Sequence, residues 1–346
     1  MTATRQIEGL LATARARRLT GAWDEVRSLL RDHGDAARAH PELAALRGES
    51  ELRTGHPREA RMWLTEILPA LERSSDRAAL RRAVNQLGVA EVELGALDAA
   101  ERTFGRALEL GRQDGDDLLI ARATNNLGAI ANIRGRRDEA LALYQLAIPA
   151  YQRLGHLVGL AESYHNMAIS CRDLGQLDRS EECERRAIAY AREARNASLV
   201  ALARLGRAEL SFRARDARLA EVGARRAAAD FAALPDRIRE ADALRLVGAA
   251  TLAQGKTDAA SEALERAIEL ARAHGSALVE AEVLRVRAEL RAAAGARAAA
   301  RADAEAAAAL YESLGAAAER QAVLAWMART VPARQTPSAG PRGGGR

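Results

Sequence analysis

Asn125–Ile148 reads NNLGAIANIRGRRDEALALYQLAI, and its two halves decide the fold. A glycine at 135 divides it. Before the glycine, NNLGAIANIR is a short helical pattern. After it, Ala140, Tyr144, Ala147 and, just beyond, Tyr151 recur at spacings of four, three and four, one apolar stripe along a second helix. Helix, glycine turn, helix is therefore the local unit.

The unit recurs along the chain. Gly55, Gly95, Gly135, Gly175, Gly255 and Gly295 lie on one forty-residue grid, interrupted only by Arg215. A second column, Asp35, Ser75, Gly115, Gly155, Arg195, Pro235, Gly275 and Gly315, has the same period and falls midway between. Two alternating turn columns imply two helices per repeat. A glycine can take the left-handed conformation that ends a helix, and Pro235 stops one by lacking the backbone N–H. Asp98, Asp138, Asp178 and Asp258 open the second helices, where a carboxylate is expected to cap free N–H groups and meet the positive end of the helix dipole.

Composition agrees with stacked helices. Aromatic residues are only 3% of 346, so close packing must come from small side chains. No run approaches 18 apolar residues, and the N-terminus lacks an apolar core with a cleavage site. Neither a membrane span nor a signal peptide is expected, which points to a cytoplasmic protein. The net charge of +5 includes Arg334, Arg342 and Arg346 of a final segment without acids. The rest carries 49 basic and 47 acidic residues, a near balance that excludes a nucleic-acid-binding face. Two cysteines, Cys171 and Cys183, are too few for a disulfide framework and read as buried, reduced thiols.

The repeats resemble the tetratricopeptide family. Leu87-Gly88 is followed by Ala100, Phe104 and Ala107; Leu127-Gly128 by Ala140, Tyr144 and Ala147; Val247-Gly248 by Ala260, Leu264 and Ala267. The period exceeds the usual 34 residues and is similar to the longer-helix variety of kinesin light chains, spindle-orientation adaptors and peptide-pheromone receptors. The resemblance implies an all-α, right-handed α-α superhelical solenoid of about eight helix-turn-helix repeats with a C-terminal capping helix. Expected repeats run over 3–35, 36–75, 76–115, 116–155, 156–195, 196–235, 236–275 and 276–315. The cap covers 316–330, closing a solenoid of residues 1–330, and 331–346 form a disordered basic tail, rich in proline and glycine. The first repeat has its turn at Gly21. Repeat six is read as off register, its Leu205-Gly206 falling two residues early. The last repeat has decayed to alanine. Leu324, Trp326 and Met327 are expected to cover the exposed end.

Catalytic signatures are missing. His33, His40, His56, His156, His165 and His274 form no metal-ligand spacing, the glycines occur singly at turns rather than in a phosphate loop, and no G-x-S-x-G elbow exists. No enzyme activity, cofactor or metal is expected. A solenoid binds along its curved inner wall, which in this family is lined by the first helix of each repeat. The groove positions then carry Arg82, Asn85 and Gln86 in repeat three; Arg122, Asn125, Asn126 and Asn132 in repeat four; His165, Asn166 and Arg172 in repeat five; Arg204 in the slipped repeat six; and Arg245 in repeat seven. An asparagine amide offers a donor and an acceptor to an extended peptide backbone, and arginine can clamp a carboxylate. Asn126 and Asn166 match the family's groove asparagine. A solvated helix face would also be polar, but repeats seven and eight show Leu246, Ala249, Leu252, Ala292 and Ala293 at these places. The expected function is a peptide- or protein-binding adaptor or scaffold, its partner acidic or C-terminal, with no nucleic acid or membrane. A peptide sensor that changes curvature and a self-assembling structural protein are the alternatives.

Overall fold

The computed structural model describes residues 2–234 and 236–332. The stop assigned to Pro235 and nearly all of the tail concern residues outside these. Among the described residues there are eighteen helices and no strand. The chain starts with α1 (Thr2–Leu19), α2 (Trp23–Asp32) and a short α3 (Gly34–Ala39). From there inner and outer helices alternate. The inner ones are α4 (Pro41–Arg53), α6 (Arg77–Glu93), α8 (Asp117–Ile133), α10 (Leu157–Asp173), α12 (Ala197–Arg213), α14 (Arg237–Ala253), α16 (Ala277–Ala293) and the final α18 (Ala317–Thr330). The outer ones are α5 (Pro57–Arg73), α7 (Leu97–Asp114), α9 (Arg137–Arg153), α11 (Leu177–Glu193), α13 (Ala217–Ala233), α15 (Thr257–Ala273) and α17 (Arg297–Ser313). The result is an α-α superhelical solenoid.

The sequence grid is a packing rule. Each inner glycine of the Leu-Gly pair receives a large side chain from the following outer helix. A Cβ at Gly88 would stand 2.6 Å from Phe104, at Gly128 2.6 Å from Tyr144, and at Gly248 2.5 Å from Leu264. Phe104, Tyr144 and Leu264 are fully buried, and so are the alanines that flank them at 100 and 107, 140 and 147, 260 and 267. Small residues thus let two helices approach until one ring fills the space between them. Nor is the turn geometry confined to glycine: Arg195 (φ 52°) and Arg215 (φ 64°) adopt the left-handed conformation that the repeat demands at those points, which for a side chain costs about 1–2 kcal/mol.

Two local expectations are corrected. Asp98, Asp138, Asp178 and Asp258 are not caps. The N-cap positions of their helices are Ala96, Arg136, Gln176 and Lys256, none with a side-chain cap bond, so these aspartates lie inside the first turn and act only through the dipole. Capping falls mainly on the inner helices, where Asp76, Asp116, His156, Asn196 and Asp236 accept from the backbone N–H three residues on. Repeat six is also in register. Its α12 starts and ends forty residues after α10, and Ala208 takes the small-residue place at which Gly128 and Gly248 stand. Close approach there comes from the other side, since a Cβ on Gly223 of α13 would lie 2.8 Å from that of Ala208.

At the C-terminal end Leu324, Trp326 and Met327 pack against the last core cluster, Val331 is buried, and its carbonyl accepts from Arg301. The superhelix is wound tightly enough for distant turns to touch edge to edge. Leu314 occupies the space where a Gly95 side chain would be, and Arg137 Nη2 lies 3.5 Å from Glu319 Oε1.

Candidate peptide-binding groove

The twelve expected groove residues separate into two sets once their partners are known. Several are used internally. Asn125 is buried, its Oδ1 accepting from Ser163 Oγ at 2.9 Å, and Asn132 Oδ1 accepts from Ser170 Oγ at 2.8 Å. Both bonds tie α8 to α10. His165 is buried with Nδ1 3.1 Å from either carboxylate oxygen of Glu184 on α11. Arg245 is held by Glu209, Asp242 and Glu282, three acids that raise its pKa against the effect of burial. Arg172 pairs with Asp173 at 3.3 Å. Arg204 points away from the groove toward α13, where it meets Asp230 at 3.0 Å, because repeat six never slipped. Asn125, Asn132 and Arg245 thus join neighbouring repeats, His165 and Arg204 join the two helices of one repeat, and Arg172 pairs within its own helix.

The others have no partner of that kind. Arg82 Nη1, Asn85 Oδ1 and Gln86 Oε1 are buried polar atoms without a hydrogen-bond partner among the described residues. They sit on one stretch of α6 and include a donor and two acceptors. Asn126 and Asn166 are half-buried, and neither side-chain amide is engaged among the described residues. Arg122 is exposed, its Nη2 3.4 Å from His156 Nε2. Unpartnered amides over three consecutive inner helices form a strip that can hydrogen-bond an extended chain.

Acidic residues stand on the same face. The column of Arg82 and Arg122 continues as Glu162, Leu202, Asp242 and Glu282, and its change of sign is visible in the sequence. Glu162 and Glu93 are exposed and have neither an ion pair nor a hydrogen bond among the described residues. Even so, desolvation raises both carboxyls, that of Glu93 to about 7, opposed by Arg239 and Arg53. Water reaches the side chains, while surrounding protein lowers the polarisability of their setting; a concave wall does both.

The raised Glu93 has a measurable consequence. The folded protein keeps a proton that the unfolded chain releases near pH 4.5, so this group contributes stability that is complete below that pH and lost as pH rises through about 7. Glu93→Gln is expected to flatten the dependence of Tm on pH between 5 and 7.5. An unchanged slope would place Glu93 in ordinary solvent.

Comparisons with known proteins give the fold its relatives. Two stretches match sequence profiles of the tetratricopeptide repeat, residues 119–193 and 246–274. No curated protein sequence matches significantly. Among solved structures, a Rap protein complexed with competence and sporulation factor is similar with a TM-score of 0.63 at 14% identity, over 94% of this chain and 99% of that one. The apo form of RapI gives 0.60 at 11% identity, covering 79% and 98%. The Cut9 and Hcn1 hetero-tetramer of the APC/C gives 0.58 at 15%, covering 91% of this chain and 55% of that chain. At such identities the likeness concerns the fold. The two profile matches show that the chain carries tetratricopeptide repeats over those stretches, and the all-helical solenoid with its small-to-large packing column is the same fold.

Proposed function

We propose that the protein is a non-enzymatic adaptor that binds an extended peptide segment along α6, α8 and α10. The observation that carries this is the set of buried, unpartnered polar atoms on α6, Arg82 Nη1, Asn85 Oδ1 and Gln86 Oε1, continued by the free amides of Asn126 and Asn166. A buried polar group without a partner costs about 1–3 kcal/mol, and a peptide backbone supplies both missing types. Each bond formed is worth on the order of 1 kcal/mol net, so several repeats acting together are needed for the roughly 8 kcal/mol of micromolar affinity. Arg82 and Arg122 give this end of the groove a positive character suited to an acidic side chain or C-terminal carboxylate. Glu162, exposed on α10, gives the far end of this strip the reverse preference. The Rap protein complexed with competence and sporulation factor has a similar fold, which supports a ligand-binding role for this solenoid.

A peptide library selected on the full chain supplies the probe. Asn126→Ala with Asn166→Ala is expected to weaken a selected peptide at least about tenfold, the loss of one to two hydrogen bonds, with helicity and melting unchanged. Unaltered affinity in the folded double variant would remove the groove assignment.

One observation favours a sensor over a rigid scaffold. The edge contact of Leu314 with Gly95 and of Arg137 with Glu319 is small and joins distant repeats, so a modest change in repeat-to-repeat rotation would open it. Small-angle scattering with the selected peptide is expected to show a changed radius of gyration. An identical curve would leave the rigid scaffold.

A further inference from the structure

Arginine stands at one repeat position of three inner helices, Arg47 on α4, Arg207 on α12 and Arg287 on α16, where α6, α8, α10 and α14 carry Leu87, Leu127, Met167 and Val247. Two of the three meet the side chain sixteen residues on, at one position of the following outer helix (63 − 47 and 303 − 287). Arg47 lies over the buried Trp63 ring, 3.7 Å from its centre. Arg287 donates from Nε and Nη2 to the two carboxylate oxygens of Asp303 at 2.9 and 2.8 Å. Opposite Arg207 the same position is Gly223. Its φ is not positive, so the backbone does not require glycine there.

Without a side chain at 223, a hollow of about 430 Å³ remains between α11, α12 and α13. Leu177, Ala208, Leu210, Ala214 and Leu219 line it with apolar surface, and Arg204, Arg207 and Arg226 stand among them. Leu219 is 57% exposed, so the hollow opens to solvent, and Val222 beside it on α13 is 67% exposed. The arginines are paired through their edges. Arg207 binds both oxygens of Glu181, from Nε at 3.2 Å and from Nη2 at 2.9 Å. Arg204 and Arg226 share Asp230, at 3.0 and 3.2 Å. The hollow therefore offers a carboxylate little. A guanidinium paired in its plane keeps its face, and that face attracts the electron-rich face of an aromatic ring.

We propose that the hollow between α11 and α13 is a docking site for a tryptophan side chain of a partner polypeptide, held by Arg207 as Trp63 is held by Arg47. Three guanidiniums around an apolar hollow complement the charge distribution of an indole ring, and Leu219 and Val222 supply an apolar rim for the segment that carries it. An aromatic anchor seated in a pocket is the usual centre of a protein interface. The site uses outer helices, so it is independent of the groove and stands whether or not the groove binds a peptide.

Isothermal titration of the full chain tests it, with N-acetyl-Ala-Trp-Ala-amide as the probe and the Leu peptide of the same form and free indole as comparisons. Saturable binding of the Trp peptide with Kd of about 1 mM or tighter is expected. The Leu peptide should bind at least about fivefold more weakly, and indole more weakly than the Trp peptide because it leaves the rim uncovered. Arg207→Gln, at an exposed position, should weaken the Trp peptide at least about threefold with melting preserved. Gly223→Trp should fill the hollow and abolish binding; it is combined with Ala208→Gly, because a Cβ at 223 would lie 2.8 Å from that of Ala208. Leu219→Ser, at the exposed rim, should weaken the Trp peptide and covers a filled variant that does not fold. No saturable binding, parity with the Leu peptide, or wild-type affinity in folded Arg207→Gln or Leu219→Ser protein would overturn the site. Parity with indole would replace the partner by a small aromatic molecule, and a dimer in sedimentation that Leu219→Ser dissociates would replace it by a second copy of the chain; either result overturns the proposal.

Discussion

Tyr144→Ala is expected to destabilise the protein by about 3–5 kcal/mol in urea unfolding, a large part of the 5–15 kcal/mol that holds a typical protein folded. Tyr144 is fully buried, and its ring lies where a side chain on Gly128 would otherwise be. Removing it opens a void between α8 and α9 that the surroundings fill poorly, because the facing residue is already a glycine. The neighbours at Ala140 and Ala147 are equally small and fully buried, so no flexible side chain stands ready to move in. Tyr144→Phe keeps the volume and is expected to change stability by about 1 kcal/mol or less. A loss under about 1 kcal/mol for the alanine variant would show that this ring does not carry the repeat. In a solenoid such damage is felt mostly by adjacent repeats, so the unfolding transition should also broaden.

His165→Ala is expected to be comparably severe, about 3–5 kcal/mol at pH 8, for an electrostatic reason. Glu184 is 1% exposed and takes the outer-helix place that Phe104, Tyr144 and Leu264 fill elsewhere. A Cβ on Gly206 of the next repeat would fall 1.9 Å from its Oε1, so the carboxyl occupies a slot made for it. Desolvation raises its pKa, opposed by His165 first and by Arg172 more weakly. Without His165 the folded state holds a carboxylate with little compensation. The raised pKa means that protonation relieves this on acidification, since the stability contributed by the protonated form is present at low pH and lost as pH rises. The variant should therefore lose less at pH 5 than at pH 8, and adding Glu184→Gln should recover about 1 kcal/mol or more at pH 8. Equal losses at both values would mean that the pair is a packing contact only.

The same pair explains a misreading. Leu205-Gly206 looks like the family's Leu-Gly displaced by two, and from it Arg204 was expected in the groove. Gly206 is small because the Glu184 carboxyl of the preceding repeat needs its space, whereas Ala208 keeps the true place. An acid at a position that is apolar in the other repeats is the one clue in the sequence, and it points to its cause only when α11 and α12 are seen side by side.

The groove shows the same limit. Asn125, Asn126 and Asn132 lie on one helix and are chemically alike. Ser163 and Ser170, each thirty-eight residues on, engage the first and the third and leave Asn126 free. The amino-acid sequence by itself determined the period, the alternation of inner and outer helices, and the small residues that admit a large side chain such as Phe104, Tyr144 and Leu264. Those are local consequences of helical geometry and side-chain volume, and they repeat. Only the tertiary structure decided which polar groups are already satisfied, because hydrogen bonds and ion pairs form between neighbouring repeats and across the winding of the superhelix, at separations that no local pattern encodes.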